Sequence, residues 1–250
     1  MRRQLQISLA LMLAGSAFVV AAQSNASSSP APGQAPSTTN PGASAAATPA
    51  ATPGPQAAPG PRANVQAKVA MCIGCHGIPG YQATFPEVHK VPMIAGQNAQ
   101  YIANALAAYA KGDRKHPTMR GIALPLGERD ISEISNYYAG LAKVDPVPAT
   151  VEAPADIKKL LDKGACASCH GANFSKPIDG TYPKIAGQHA DYLYVALKSY
   201  QIEGKPYHGR SNAVMAGQVK QFSHAELKLL SQYLAGLPSE LRTVPQSRFR

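Results

Sequence analysis

Most signatures of common protein classes are missing from this 250-residue chain. Beyond one apolar run near its start, no segment is long and apolar enough to cross a membrane. The sequence shows no paired carboxylates, no nucleophile–base set and no glycine-rich phosphate loop, so it lacks the usual marks of hydrolases and nucleotide-binding enzymes. The formal net charge is +10, but no basic run is interleaved with aromatic residues, which makes nucleic acid a poor partner. Only four cysteines are present, and they stand out against this background.

All four cysteines fall in two copies of one motif, at residues 72–76 and 166–170. Each copy reads Cys-x-x-Cys-His, the attachment signature of a c-type haem. Two thiols on one helical turn can each form a thioether with a haem vinyl group, and the histidine that follows then lies beneath the ring, next to the iron. We therefore predict two covalently bound haem c groups, with thioethers at Cys72, Cys75, Cys166 and Cys169 and proximal iron ligands at His76 and His170.

Three other interpretations of the cysteines are weaker. A single zinc site usually spaces its two Cys-x-x-Cys pairs by roughly 15–20 residues, far less than the separation here, and zinc does not explain a histidine after both pairs. A thioredoxin-like redox motif needs a strand–helix context that this sequence lacks. Two disulfides would each close a very small, strained loop.

The first 22 residues have the pattern of a secretory signal peptide. Arg2 and Arg3 precede an apolar run over residues 5–20, and small residues then indicate cleavage after Ala22. No cysteine lies at the cleavage point, so a lipoprotein anchor is not indicated. We expect an exported, periplasmic protein. The alternative is an uncleaved anchor, for which the run is at the short end.

Residues 23–62 form a segment rich in Ala, Pro and Ser, with nine prolines, no aromatic residue and no aliphatic residue larger than Ala. Such a composition cannot bury enough apolar surface to offset the entropy of ordering. The segment is therefore predicted to be a disordered linker, or a tether if the signal peptide is retained.

From about Asn64 the composition changes and an internal repeat begins. Pro-x-Ile-Ala-Gly-Gln occurs at 92–97 and at 183–188, and each copy precedes a segment with helical apolar periodicity. A second amphipathic helix follows in both units. The sequence predicts an all-α fold with two homologous domains, at 63–143 and 155–242, a linker at 144–154 and a C-terminal tail at 243–250. Each domain is small for a self-sufficient core, so we expect the haem to complete it.

The distal iron ligands are predicted from the repeat. Met119 and Met215 both lie 12 residues before the first apolar position of the last helix in their unit. Met71 adjoins Cys72 on the proximal side, and Met93 corresponds to a lysine in the second unit. The remaining histidines share no repeat position and are expected to be mostly solvent-facing, although His116 and His208 are close enough to the methionine loops to be alternative ligands. These histidines are His89, His116, His189, His208 and His224.

Taken together, these motifs resemble the dihaem cytochrome c4 family, and the resemblance covers about residues 64–237. It implies two tandem class I cytochrome c domains related by a pseudo-twofold axis, with haem propionate edges near the domain interface. It also implies His76 and His170 as proximal and Met119 and Met215 as distal ligands. Two features depart from the family. The long Pro/Ala-rich segment is unusual, and the second methionine loop has 15 residues from Tyr200 to Met215, against 10 from Tyr109. This insertion suggests unequal reduction potentials.

The charge and the resemblance together favour an electron carrier rather than an enzyme. After loss of the signal peptide the balance is +8, and haem propionates would bring it near +4, which would steer the protein toward an acidic redox partner. Lys111, Arg114 and Arg210 are candidate propionate partners. We expect electrons to come from a quinol-oxidising complex or another cytochrome and to reach a terminal oxidase. The alternative is the electron-accepting subunit of a sulfide or alcohol dehydrogenase. A haem enzyme such as a peroxidase is disfavoured by the two matched methionines.

Overall fold

The fold comes from a computed structural model that describes residues 61–142 and 146–245. The predicted signal peptide and most of the predicted linker lie outside these residues. The first helix begins at Pro61, two residues before the predicted start of the first domain. Within the described ranges, no helix has the length and hydropathy needed to span a membrane.

The described chain is mainly helical, which confirms the all-α prediction. Domain 1 denotes the part that contains the first four helices, and domain 2 denotes the part that contains the remaining five. The helices of domain 1 are α1 (Pro61–His76), α2 (Ala99–Lys111), α3 (Pro117–Ala123) and α4 (Glu128–Ala139). Those of domain 2 are α5 (Ala155–Lys163), α6 (Ala167–His170), α7 (Ala190–Ser199), α8 (Ala213–Val219) and α9 (His224–Ala235). Four two-residue strands accompany them, at β1 (Gln82–Ala83), β2 (His89–Lys90), β3 (Arg114–Lys115) and β4 (Gly209–Arg210).

The last helix of each domain begins at a polar cap. In domain 2 the Ser223 backbone N–H donates to the Glu226 carboxylate, and the Glu226 N–H donates to the Ser223 hydroxyl at 3.2 Å. This reciprocal pair is a capping box, which satisfies backbone donors that the first helical turn leaves free. In domain 1 the Gly127 N–H donates to Asp130, but glycine has no side chain with which to return the bond.

Each domain encloses its own apolar cluster. In domain 1, α1, α2 and α4 contribute Val69, Ile102, Leu106 and Ile134. In domain 2, α5, α7 and α9 contribute Ile157, Leu161, Leu193, Leu227 and Leu230. The buried positions recur every three or four residues, as expected for one face of a helix. The two clusters are therefore built from the repeated periodic segments of the sequence.

Two glutamines join the domains through reciprocal hydrogen bonds. Gln97 Nε2 donates to the Lys184 carbonyl at 2.9 Å, and the Lys184 N–H donates to Gln97 Oε1 at 2.9 Å. Gln188 makes the same two bonds with the backbone of Met93, at 2.8 and 3.0 Å. Each glutamine is the last residue of one Pro-x-Ile-Ala-Gly-Gln motif and reaches the second residue of the other. The repeat therefore joins the domains symmetrically, and we call Gln97 and Gln188 with these four hydrogen bonds the glutamine fastener.

Strands β3 and β4 add a second contact between the domains. They pair antiparallel, with Arg114 opposite Arg210, and the Ser211 N–H donates to the Asp113 carbonyl at 2.6 Å. The two strands precede the two methionine-bearing helices, α3 and α8. The interface thus fixes the segments that lead into the predicted distal ligands.

The segment after α9 crosses from domain 2 to domain 1. Arg242 forms a β-bridge with Ala95 and donates from Nε to the Leu141 carbonyl at 2.6 Å, and Val244 packs on the domain 1 cluster. The linker after α4 makes the opposite crossing, because Asn173 of domain 2 donates to the Pro148 carbonyl at 2.7 Å. The segment after α9 thus packs on domain 1 and the linker after α4 contacts domain 2, and neither contact has a sequence signal.

Candidate haem sites

The four cysteines lie on two helices, one in each domain. Cys72 and Cys75 lie in the last turn of α1, while Cys166 caps α6 and Cys169 lies within it. All four are free and partly buried. Burial raises the pKa of the Cys72 thiol, and it raises the pKa of Cys166 to about 11.

The two motif histidines are held in the same orientation. His76 Nδ1 lies 2.8 Å from the carbonyl oxygen of Pro92, and His170 Nδ1 lies 2.9 Å from that of Pro183. A carbonyl only accepts, so each bond places the proton on Nδ1 and leaves the Nε2 lone pair available to a metal. Burial lowers the pKa of both histidines, which favours the neutral, metal-binding imidazole.

The matched methionines occupy the same position on two short helices. Met119 is the third residue of α3 and Met215 is the third residue of α8. The N–H of Met119 donates to the ring of the cap residue His116 at 3.3 Å, and that of Met215 donates to the side chain of the cap residue Asn212 at 2.9 Å. His116 and Asn212 are therefore corresponding residues of the repeat.

Each methionine borders the apolar cluster that also contains a motif cysteine. Met119 and Cys72 pack on the domain 1 cluster, and Met215 and Cys166 pack on the domain 2 cluster. The structure therefore brings the predicted proximal and distal elements to one core in each domain. Met71, by contrast, is 52% exposed.

The prediction that the other histidines mostly face solvent is wrong. His224 is exposed, but His89 is buried, and three others are half-buried. Interdomain packing explains part of this burial. The ring of Phe85 in domain 1 contacts both His116 and His208, at centroid distances of 5.7 and 6.2 Å. Periodicity within one domain could not show a contact made with the other.

Two arginine–tyrosine pairs lie at the interface, one from each domain. Arg114 donates to the Tyr101 hydroxyl at 3.1 Å, and Arg210 donates to the Tyr192 hydroxyl at 3.1 Å. Each guanidinium also lies over a second tyrosine ring, and burial raises the pKa of Tyr101 to about 12, so its hydroxyl stays neutral. Within the described ranges neither arginine forms an ion pair with a carboxylate.

This arrangement fits haem propionates. Interior guanidinium groups need an anionic partner, and a propionate would supply it. The sequence indicated the two arginines but not Tyr101 and Tyr192 as their partners. The two tyrosines follow Gln97 and Gln188 at the same spacing, and this shared spacing could have identified them. Lys111 does not fit, because its exposed side chain pairs with Asp113 at 3.3 Å.

Comparison with known proteins supports the same cofactor. The cytochrome c family model matches residues 154–238. Cytochrome c4 of Thiocapsa roseopersicina is 30% identical over 175 residues, which are 67% of this chain and 87% of that protein. The crystal structure of reduced recombinant cytochrome c4 from Pseudomonas stutzeri matches with a TM-score of 0.53 and 27% identity, covering 70% of this chain and 97% of that one.

A further relative carries a different description. The thiosulfate dehydrogenase electron acceptor of Thiomonas intermedia is 29% identical over 181 residues, which are 68% of this chain and 80% of that protein. Proteins similar to this chain thus include both cytochromes c4 and an electron-accepting partner of a dehydrogenase.

Proposed function

This chain belongs to the dihaem cytochrome c4 family, and from that premise we propose that it is a periplasmic electron carrier. It takes electrons from a quinol-oxidising complex or another cytochrome and passes them to a terminal oxidase. The observation that carries the proposal is a matched arrangement in the two domains. In each, a carbonyl holds Nδ1 of the motif histidine, and a motif cysteine and a methionine pack on one apolar cluster.

The protein residues divide the work at each site. Cys72 and Cys75 in domain 1, and Cys166 and Cys169 in domain 2, would form the thioethers. His76 and His170 would offer Nε2 to the iron, because the proline carbonyls hold Nδ1. Met119 and Met215 would supply a sulfur ligand. When bound, haem supplies the redox chemistry, since its iron takes up and releases one electron.

The domain interface supports electron exchange between the two sites. The Arg114–Tyr101 and Arg210–Tyr192 pairs would hold the propionates, and strand pairing places the two arginines opposite one another. The glutamine fastener holds the two domains at a constant separation. Electron transfer over a fixed distance then needs no domain movement.

A second candidate is the electron-accepting subunit of a periplasmic dehydrogenase. Similarity to a thiosulfate dehydrogenase electron acceptor favours it. In this role the same haem sites take electrons from an enzyme that oxidises a sulfur compound or an alcohol, instead of from the quinol pathway.

Reoxidation by host membranes tests the carrier role. The purified, reduced protein is mixed under oxygen with membranes from its own host, with and without cyanide, and the haem absorbance is followed. Rapid, cyanide-sensitive reoxidation is expected, because a haem–copper terminal oxidase is the acceptor. Heat-treated membranes are the control. An absence of reoxidation would contradict this acceptor and favour the dehydrogenase role.

Export is tested separately. Cell fractionation should recover the haem protein in the periplasm, and N-terminal sequencing should begin at Gln23. A chain that still begins at Met1 would contradict cleavage, and recovery with membranes would indicate an anchor.

A further inference from the structure

One buried hydroxyl in domain 1 lacks a hydrogen-bond partner. Tyr138 on α4 is 4% exposed, and its OH makes no hydrogen bond with the described residues. The other orphaned side-chain oxygen, Ser135 Oγ, has a simple solution. Its counterpart Ser231 donates to the carbonyl of Leu227, four residues earlier, and Ser135 can reach the equivalent carbonyl by rotating about χ1. Tyr138 has no such option, because a ring carries its hydroxyl away from the helix backbone.

The unpartnered hydroxyl lies beside a haem-attachment cysteine. Tyr138 belongs to the domain 1 cluster and Cys72 packs against that cluster. The two side chains are close enough that each shifts the pKa of the other. Burial raises the pKa of the Tyr138 hydroxyl, and the neighbouring Cys72 sulfur raises it further, so the hydroxyl keeps its proton. A buried donor of this kind normally has an acceptor in the functional protein.

Haem attachment would remove the Cys72 proton and leave its sulfur as an acceptor only. The thiol adds across a vinyl group, so a carbon–sulfur bond forms, the sulfur–hydrogen bond breaks, and the proton goes to the second vinyl carbon. The resulting thioether sulfur has no proton but retains lone pairs that accept weakly. Tyr138 is then the donor next to it.

We propose that the Tyr138 hydroxyl donates a hydrogen bond to the Cys72 thioether and thereby raises the reduction potential of the domain 1 haem. The inference rests on the proposed function, since it needs a haem attached at Cys72. The positive end of the O–H dipole would point toward the sulfur that carries the haem and would stabilise the form that has gained an electron. Hydrogen bonds and local polarity around a haem are established means of tuning its potential.

Domain 2 has no equivalent donor. The corresponding position on α9 is Leu234, which is also 4% exposed and packs in the domain 2 cluster. The preceding residue is tyrosine in both domains, Tyr137 and Tyr233, so the two helices differ in hydroxyl content at this one buried position. The Tyr138 hydroxyl therefore affects only the domain 1 haem and makes the two reduction potentials unequal.

The test compares Tyr138→Phe with Tyr137→Phe in the haem-loaded protein. The two rings are adjacent, at 5.2 Å between centroids, and both substitutions remove only a hydroxyl. In a spectroelectrochemical titration, Y138F is expected to lower one of the two potentials and leave the other unchanged, and Y137F to change neither. If Y138F leaves both potentials unchanged, or if Y137F has the same effect, the inference is wrong.

A spectroscopic measurement separates hydrogen bonding from simple packing. Resonance Raman spectra contain carbon–sulfur stretching bands of the thioethers. Transfer to deuterium oxide should shift one such band in the unmodified protein and in Y137F, and none in Y138F. Equal band positions in all three proteins would overturn the inference. Haem content is measured first, because fewer than two haems per chain would contradict the proposed function itself.

Discussion

The two domains hold their methionines alike but reach them by loops of different length. In domain 1, α2 ends at Lys111 and β3 follows at Arg114. In domain 2, residues 200–208 separate α7 from β4, and this longer loop contacts domain 1, where Lys115 donates to the Lys205 carbonyl at 2.7 Å. The insertion therefore adds a contact with domain 1 and leaves Met215 at the same helix position as Met119.

The sites differ more in the residues around the ligands. The helix cap before the methionine is His116 in domain 1 and Asn212 in domain 2, and the buried position on the last helix is Tyr138 in one and Leu234 in the other. Similar ligands in different polar surroundings are a common means of giving two haems different potentials. The insertion suggested unequal potentials, and these side chains offer a more direct physical reason.

Preventing haem attachment in one domain should have the largest effect. The double variant Cys72→Ala/Cys75→Ala is expected to carry one haem per chain and to lose the fold of domain 1, because a domain of this size depends on the haem to complete its core. Haem content and amide hydrogen exchange measure both effects. Cys166→Ala/Cys169→Ala is the matched variant for domain 2. Full exchange protection in the haem-free domain would contradict the prediction.

Replacing the distal ligands should change the potentials one at a time. Met119→His is expected to lower the potential of the domain 1 haem, and Met215→His that of the domain 2 haem. Bis-histidine ligation gives lower potentials than histidine–methionine ligation, and axial ligands set potentials over roughly 0.8 V. Potentiometric titration measures both. If either substitution leaves both potentials in place, that methionine is not the ligand.

The two glutamines of the fastener, Gln97 and Gln188, should contribute equally to the free energy of unfolding. Gln97→Ala and Gln188→Ala each remove two hydrogen bonds between the domains and leave buried backbone groups unpaired, so each is expected to lower the free energy of unfolding by about 2 kcal/mol. Denaturant unfolding followed at both haems measures the loss.

Gln100→Ala is the control for the fastener, since this exposed glutamine bonds only with Asn104 on its own helix. Its effect should lie within about 0.5 kcal/mol. A large difference between the two fastener variants would show that the interface is not symmetric in energy.

The smallest expected difference is in acid stability. In domain 1, Lys68 on α1 pairs with Asp130 and Glu133 on α4, at 2.7 and 2.6 Å, and its hydrogen bonds lower the pKa of both carboxyl groups. A carboxyl group whose pKa is lowered by folding stabilises the folded state at any pH above its unfolded-state pKa, which is near 4. This contribution is lost as the pH falls through the pKa of the folded state.

Lys68→Met should therefore weaken domain 1 slightly at neutral pH and have little effect well below pH 4. Thermal unfolding across this pH range measures the change. Lys158→Met is the control, because its partner Asp162 lies on the same helix and both side chains are exposed. An equal loss from K68M at every pH would show that the effect is one of packing and not of charge.

Local pattern was sufficient to predict much of this protein. The cysteine motifs, the repeated apolar periodicity and the paired methionines depend on residues close in the chain, so they predict the all-α fold, two haem c groups and the ligand candidates. The role of Gln97 was not predictable, because a glutamine has the same sequence signature whether it bonds to solvent or to another domain. The burial of His89 was missed for the same reason.

The sequence by itself determined the cofactor and the chemistry of its attachment, because thioether formation needs only two thiols and a histidine on one helical turn. Tertiary structure decided how the two halves are joined. Gly96 and Gly187 have φ values of +86° and +67°, and a side chain at either would collide with the segment that follows α9. Only packing determines which residues far apart in the chain come together. It decides the passage of the segment after α9 onto domain 1, the arginine–tyrosine pairs and the surroundings of the Tyr138 hydroxyl.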